Sequence, residues 1–270
     1  MQTLSEIRML LAERGLKPLK RFGQNFLHDH NQLRKLVDAA DLSPGDLVLE
    51  VGPGTGTLTE ALLEKEARVI AAEIDEGLAD LMRDRFGDRI QLIRGDCLAT
   101  GRRLSDPIRE AIGDSSWRLV ANLPYQAASP LMIELLLNHP HCQGQYVTIQ
   151  REVAERLNAS PGDRQRGPLG ILATTFGEVD RIGDIPGSCF WPAPKVTSSM
   201  VSIRPRSSRP DLDGNAFARF ISLLFAKRRK QLGSIFGRST VLPDGIDPIW
   251  RAEVLTDQQL MMLFQTVAFE

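Results

Sequence analysis

Nowhere in this 270-residue chain does an apolar run approach the ~18–20 residues needed to cross a bilayer. The N-terminal segment SEIRMLLAERG is broken by charge, so it lacks the uninterrupted core of a secretory signal. Cysteine is scarce: Cys97, Cys142 and Cys189 are odd in number and widely spaced. That pattern argues against a disulfide framework and against a zinc site, and it fits a reduced, cytoplasmic setting with no metal. Internal repeats and low-complexity tracts are also missing. Net charge is −1, so the overall field of the molecule names no partner.

What is present is an ordinary globular composition, 42% hydrophobic and 25% charged. The length fits one large domain, or one domain plus a small one. Charge is uneven along the chain. Lys195–Arg238 holds ten Lys or Arg against two Asp, and residues 1–34 hold six against three acids. Two basic stretches in a nearly neutral chain suit a polyanion bound on one face.

The N-terminal TLSEIRMLLAERG reads as a short helix, with Thr3 and Glu6 as a capping box and Gly15 as its stop. The loop LKPLKRFGQNFLHD follows, then a helix over about 31–40. From there strands and helices alternate. LVLEV (47–51), RVIAAEID (68–75), RIQLIRGD (89–96), WRLVANLPY and GQYVTIQ read as strands, and the segments between them as helices. This is the signature of βαβ units: a parallel sheet with helices on both faces. Right-handed crossovers put every strand's C-terminal end along one edge, where ligands bind. EVDRIGDIP and MVSIRP read as two last strands, with an antiparallel addition possible. RPRSSRPDLDG has linker composition, and NAFARFISLLFAKRRKQLGSIFG and TDQQLMMLFQTV read as helices, the second capped by Thr256. A boundary near Ser207 therefore divides residues 1–206 from a small helical domain, 207–270.

EVGPGTGTLTEAL lies between the first strand of the alternation and its helix. Gly52, Gly54 and Gly56 let the backbone turn sharply and approach a ligand. Glu73 ends the next strand about 20 residues on, where an acid can grip two ribose hydroxyls. Asp96 ends the third, beside the expected position of an adenine ring. The dinucleotide fingerprint would need glycine where Thr57 stands, and there is no Walker lysine. A nucleoside without phosphates fits better, and S-adenosylmethionine (SAM) is the common one.

Strand WRLVANLPY delivers Asn122, Leu123, Pro124 and Tyr125 to the same edge. A strand-ending turn alone would account for Asn and Pro. Beside the glycine loop and two acids in order, another reading is favoured. The exocyclic amine of adenine is a poor nucleophile, and its N–H groups become more acidic as it attacks a methyl sulfonium. The Asn122 side-chain oxygen and the Leu123 or Pro124 backbone carbonyl would accept those hydrogens, stabilising the change without a strong base. The Tyr125 ring would stack on the base and hold it in line.

KRFGQNFLHD, EVGPGTGTLTEAL, EIDEGL, GDCL, NLPY, QREVAERL, FWPAPKVTSSMVSIRP and FAKRRKQL occur in this order. Together they resemble the KsgA family, the small-subunit ribosomal RNA adenine-N6 dimethyltransferases, over nearly the whole chain. The resemblance implies an α/β, Rossmann-like class I SAM-dependent methyltransferase with a mainly parallel seven-stranded sheet and a small all-helical C-terminal domain. It implies SAM as cofactor and dimethylation of two adjacent adenosines in the 3′-terminal hairpin of small-subunit rRNA, by a monomer acting on an assembly intermediate. SAM contacts carried over by the motifs are Asn25, Leu27, Gly52, Glu73, Asp96 and Asn122, with Gly54 in the same loop and residues 17–30 as a lid. Phe190 would be a second aromatic face opposite Tyr125. Lys20, Arg21, Lys227, Arg228, Arg229 and Lys230 would bind RNA phosphates. A large-subunit adenine methyltransferase of the antibiotic-resistance type, or an assembly or transcription factor without catalysis, are the competing readings. The chain departs from the family pattern at Gln126-Ala127-Ala128, where Asn-Ile-Ser is frequent, and at Arg166, where Tyr is common.

Overall fold

The computed structural model describes residues 1–237 and 240–267; Arg238, which closes the basic stretch counted above, and the last three residues of the expected C-terminal domain lie outside them. The chain forms two compact units, Met1–Ala154 with Asp180–Pro205, and Glu155–Val179 with the chain from Arg206.

The first unit begins with α1 (Leu4–Glu13). Thr3 accepts from the Glu6 N–H and Glu6 accepts from the Thr3 N–H, the capping box that the sequence predicts. A 3₁₀ turn, Lys20–Phe22, and a two-residue strand, β1 (Phe26–Leu27), follow, then α2 (His30–Ala39). The alternation is β2 (Leu47–Val51), α3 (Thr57–Glu64), β3 (Arg68–Glu73), α4 (Glu76–Phe86), β4 (Ile90–Arg94), α5 (Asp106–Ile112), β5 (Trp117–Asn122), α6 (Tyr125–Asn138) and β6 (Cys142–Gln150). After α7 (Arg151–Leu157) and α8 (Pro168–Phe176) come β7 (Gly177–Ile185), β8 (Phe190–Trp191) and β9 (Ser198–Pro205).

The strands build a seven-stranded sheet in the order β4-β3-β2-β5-β6-β9-β7. From β4 to β6 every pairing is parallel, and β9 joins β6 antiparallel. Strands β2, β3 and β5 are almost wholly buried, as a sheet covered on both faces requires. Strand order reverses between β2 and β5, so the edge beyond these two strands is the place where such sheets bind ligands. All three cysteines are buried and free. Burial pushes the Cys97 and Cys142 thiols up to about 12, which keeps them protonated and unreactive.

Three elements differ from the expectations above. The lid loop contains β1, which pairs antiparallel with β8 through Phe26↔Trp191 and Leu27↔Phe190. A two-residue strand whose partner lies 163 residues further on, from Leu27 to Phe190, leaves no periodic trace. Helix α8 escaped the pattern because Gly170, Ile171, Leu172, Ala173, Thr175 and Phe176 are all buried, so it has no polar face to mark its period. The single long helix expected over NAFARFISLLFAKRRKQLGSIFG is two, α9 (Gly214–Ala226) and α10 (Leu232–Phe236). The run Lys227–Lys230 offers no apolar face to continue α9, and cations favour its C-terminal end.

Residues 155–179 group with the C-terminal helices, whereas a division at Ser207 leaves them in the larger domain. The cause is packing within the second unit. Phe176 meets Phe217 of α9 edge to face, and Phe217 meets Phe264 of α11 (Asp257–Thr266) in the same way. Arg166, only 3% exposed, donates to the Leu255 carbonyl (2.9 Å) and to Asp257 Oδ1 (2.7 Å), and Thr174 donates to Asp257 Oδ2 (2.6 Å). The departure at Arg166 is thus a buried tie between segments of this unit.

Candidate active site

Strand register assembles the site. In β2–β5, Leu49 faces Leu119, so three residues on, Gly52 reaches the level of Asn122. In β2–β3, Val51 faces Ala72, and the Gly52 N–H donates to the Ala72 carbonyl (2.9 Å), which sets Gly52 beside Glu73. In β3–β4, Glu73 faces Arg94, two residues before Asp96. Asn122, the glycine loop, Glu73 and Asp96 therefore stand on four neighbouring strand ends, spaced by about 4.8 Å per strand.

Gly52 and Gly54 have φ of +70° and +62°, the left-handed region that other residues avoid. Neither has room for a side chain: a Cβ would lie 3.3 Å from Pro124 Cγ at Gly52 and 2.9 Å from Phe26 Cε1 at Gly54. The loop backbone itself forms the wall. Glu73 is 4% exposed; Oε1 accepts from the Asp75 N–H (2.9 Å) and Oε2 from the Gly54 N–H (3.1 Å). Each oxygen keeps a lone pair for a hydroxyl. Burial pushes this carboxyl up to about 6, against the backbone N–H groups of Asp75, Gly54 and Ile74 that hold it down. Asp96 is exposed, and its Oδ1 accepts from the Leu98 N–H (2.9 Å).

At the other end, Asn122 Nδ2 donates to the Asn25 backbone carbonyl (3.0 Å). A carbonyl can only accept, so this contact selects the amide orientation and leaves Oδ1 as the acceptor. The Pro124 carbonyl is engaged by the Ala127 and Ala128 N–H groups (3.0 and 3.1 Å) in the first turn of α6. Among the described residues no hydrogen bond engages the Leu123 carbonyl. Of the two carbonyls considered above, Leu123 offers the unoccupied acceptor. The departures Gln126–Ala128 fall in that first turn. The Tyr125 hydroxyl lies 3.4 Å from Ser198 Oγ. Asn25 Nδ2 donates to the Gly23 carbonyl (2.9 Å), closing the lid loop on itself.

Asn25, Leu27, Gly52, Gly54, Glu73, Asp96 and Asn122 to Tyr125 all line one cavity of about 440 Å³. That lies within the ~300–1,000 Å³ of small-molecule sites. Arg21 also lines it, its guanidinium 4.7 Å above the Phe22 ring, and Lys20 is exposed beside it. Phe190 is not brought to this wall. It is 4% exposed and packed in the core with Leu27, Leu33 and Leu36, because β1–β8 pairing sets it opposite Leu27. Lys227–Lys230 lie in the second unit after α9, where Arg228 donates to the Arg164 carbonyl (3.4 Å).

The sequence reading assigned no role to Glu50, which also lines the cavity, is 1% exposed and accepts from the Thr59 hydroxyl (2.6 Å). An acid inside an otherwise apolar buried strand was the available signal. Burial, with a smaller contribution from the nearby Glu73, pushes its carboxyl up to about 8 against the Thr59 hydrogen bond that lowers it. The Glu73 carboxylate, Asp96 at the rim and a wall of backbone fit a compact nucleoside such as SAM.

Fold and site together define a class I SAM-dependent methyltransferase. Residues 15–248 match the family of ribosomal RNA adenine dimethylases, and the chain belongs to that family. It is 38% identical over 283 residues to ribosomal RNA small subunit methyltransferase A of Magnetococcus marinus, covering 98% of each chain. It resembles the crystal structure of a dimethyladenosine transferase from Plasmodium falciparum with a TM-score of 0.72 and 26% identity, over 88% of this chain and 95% of that one. A crystal structure of the 23S rRNA methyltransferase ErmE, at TM-score 0.63 and 24% identity over 90% and 99% of the two chains, shares the fold. Among the described residues no helix is long and apolar enough to cross a membrane.

Proposed function

We propose that this enzyme dimethylates N6 of two adjacent adenosines in the 3′-terminal hairpin of small-subunit rRNA, as a cytoplasmic monomer acting on an assembly intermediate. The observation that carries this reading is the Asn122 amide, whose nitrogen is held by the Asn25 carbonyl so that Oδ1 and the Leu123 carbonyl remain as acceptors. Bound along the strand ends, SAM supplies a methyl carbon made electrophilic by its sulfonium. Glu73 accepts the two ribose hydroxyls, Asp96 faces the base, and the glycine loop forms the floor. Asn122 Oδ1 and the Leu123 carbonyl accept the N–H groups of the target amine as they acidify, and both acceptors are fixed before reaction. Tyr125 stacks on the adenine.

An adenine must leave its stack to reach such a cavity, which a hairpin loop permits more cheaply than a duplex. Lys20, Arg21 and Lys227–Lys230 bind phosphates and set register. The test is incubation with labelled SAM and undermethylated small subunits, large subunits or naked rRNA, followed by mapping of the label. Label on adjacent small-subunit adenines is expected. Label on large-subunit rRNA, or RNA binding without transfer, overturns the assignment.

A further inference from the structure

The reaction as proposed makes no use of Gln24, yet this side chain, which itself lines the cavity, fastens the lid loop to Asp75 behind Glu73. Gln24 is half-buried. Its Oε1 accepts from the Leu19 N–H (2.7 Å), and its Nε2 donates to Asp75 Oδ2 (3.0 Å). Asp75 is itself doubly anchored. Its Oδ1 accepts from the Leu78 N–H (3.1 Å), capping α4, and its N–H donates to Glu73 Oε1 (2.9 Å). The next loop residue makes the other connection: the Asn25 carbonyl accepts from Asn122 Nδ2 (3.0 Å). Hydrogen bonds from Glu73 through Asp75 to Gln24, and from Asn25 to the Asn122 amide, are thus joined by the Gln24–Asn25 peptide bond.

The chemistry of the series matters. A hydrogen bond onto a buried carboxylate is charge-assisted and stronger than one between neutral groups. The Gln24–Asp75 bond is therefore the firm point from which the loop is hung. The Asn25 carbonyl sits between the turn that Gln24 anchors and the β1–β8 pairing that begins at Phe26, and its placement depends on both. An Asn amide is nearly symmetric in shape, so only a fixed neighbour decides whether its oxygen or its nitrogen faces the cavity.

We propose that Gln24 is a positioning residue for Asn122: by tying the loop to Asp75 it holds the Asn25 carbonyl where it orients the Asn122 amide, oxygen toward the methyl acceptor. This rests on the role given to Asn122 above. Gln24 touches neither base nor cofactor in this account; it acts through the loop and through Asn122. It fixes the acceptor end of the cavity from the ribose end.

Three measurements on the full chain test it. In Gln24→Ala, the Asn122 side-chain amide, followed by its ¹H–¹⁵N resonances, exchanges with solvent ~10-fold faster. Single-turnover transfer at saturating SAM and RNA falls ~10-fold or more, while SAM affinity stays within about threefold. Added to Asn122→Ala, the same substitution lowers transfer no further, because the residue through which it acts is gone. Gln24→Glu keeps the acceptor for the Leu19 N–H but sets a carboxylate against Asp75. It matches Gln24→Ala if the Asp75 tie is what matters, and matches wild type if Gln24 only shapes its own turn. Unchanged Asn122 exchange, multiplicative losses in the double variant, or wild-type behaviour of Gln24→Glu each overturn the proposal. Full activity of Asn122→Ala alone overturns the role of Asn122 and the catalytic part of this proposal with it, whereas the exchange measurement still reports whether Gln24 holds the amide.

Discussion

At the Glu73 end of the cavity the sheet itself supplies the geometry, whereas at the Asn122 end a loop does. Glu73 closes a central strand, is 4% exposed and is gripped by the N–H groups of Gly54, in the turn between β2 and α3, and of Asp75, the N-cap of α4. Asn122 also closes a central strand, but its amide takes its orientation from Asn25, on a segment with one 3₁₀ turn and a two-residue strand. The ribose end is built to be permanent. The acceptor end is built on a loop with little regular structure, held by side-chain hydrogen bonds. Stability concentrates where backbone is paired and buried, and loops lie at the other end of that scale.

Substitution should split this comparison cleanly. The largest effect is expected for Asn122→Ala: transfer falls by ~10²–10³ in single-turnover experiments, while calorimetry finds SAM affinity changed by only a few fold. Equal losses in both would mean that the two ends are not separable. Glu73→Ala should do the reverse, weakening SAM binding by ~10–100-fold through loss of hydrogen bonds to a charged acceptor. Transfer at saturating SAM should change much less, and a variant that binds SAM normally would remove Glu73 from the ribose site.

The pH dependence sharpens the same division. In the function proposed above, hydroxyl recognition needs the Glu73 carboxylate, which burial pushes up to about 6. SAM affinity is therefore fully present above that value and falls by ~10-fold between pH 7 and pH 5. In Glu73→Gln the affinity should be lower and flat across this range. An identical slope in the variant would assign the titration elsewhere.

The smallest effect concerns Glu50. Its folded value of about 8 lies above the ordinary 4.5. Between these values the unfolded chain has released the proton that the folded chain keeps, so stability falls as pH rises through this window. Glu50→Gln removes that cost while leaving an acceptor for Thr59. Its melting temperature should exceed that of the wild type by about 2–4 °C for each kcal/mol recovered, increasingly from pH 5 to pH 8. A difference independent of pH would show that the Glu50 proton is not involved.

Much of the fold was legible because its signals are local. The short apolar runs ending in Glu73, Asp96 and Asn122 state both the strands and the edge at which they end, since strands feeding helices can only close one way. The motif glycines were legible for the same reason, as positive φ is a property of the residue itself. Phe190 was not, because its position depends on Leu27, a partner 163 residues earlier whose pairing leaves no pattern in either segment. Helix α8 was hidden by burial on all sides, and the departure at Arg166 gave no sign in the sequence that it is a buried tie to Leu255 and Asp257.

By itself the sequence determined the order of strands and helices, the glycine loop, the acids at the strand ends and the residue types of the Asn-Leu-Pro-Tyr turn. These depend on propensity, period and the geometry of single residues. Only the tertiary structure decided which carbonyl remains an acceptor, which way the Asn122 amide faces and which aromatic reaches the cavity. Those are outcomes of competition for hydrogen bonds and space among segments far apart in the chain, and no local preference encodes the result of such a competition.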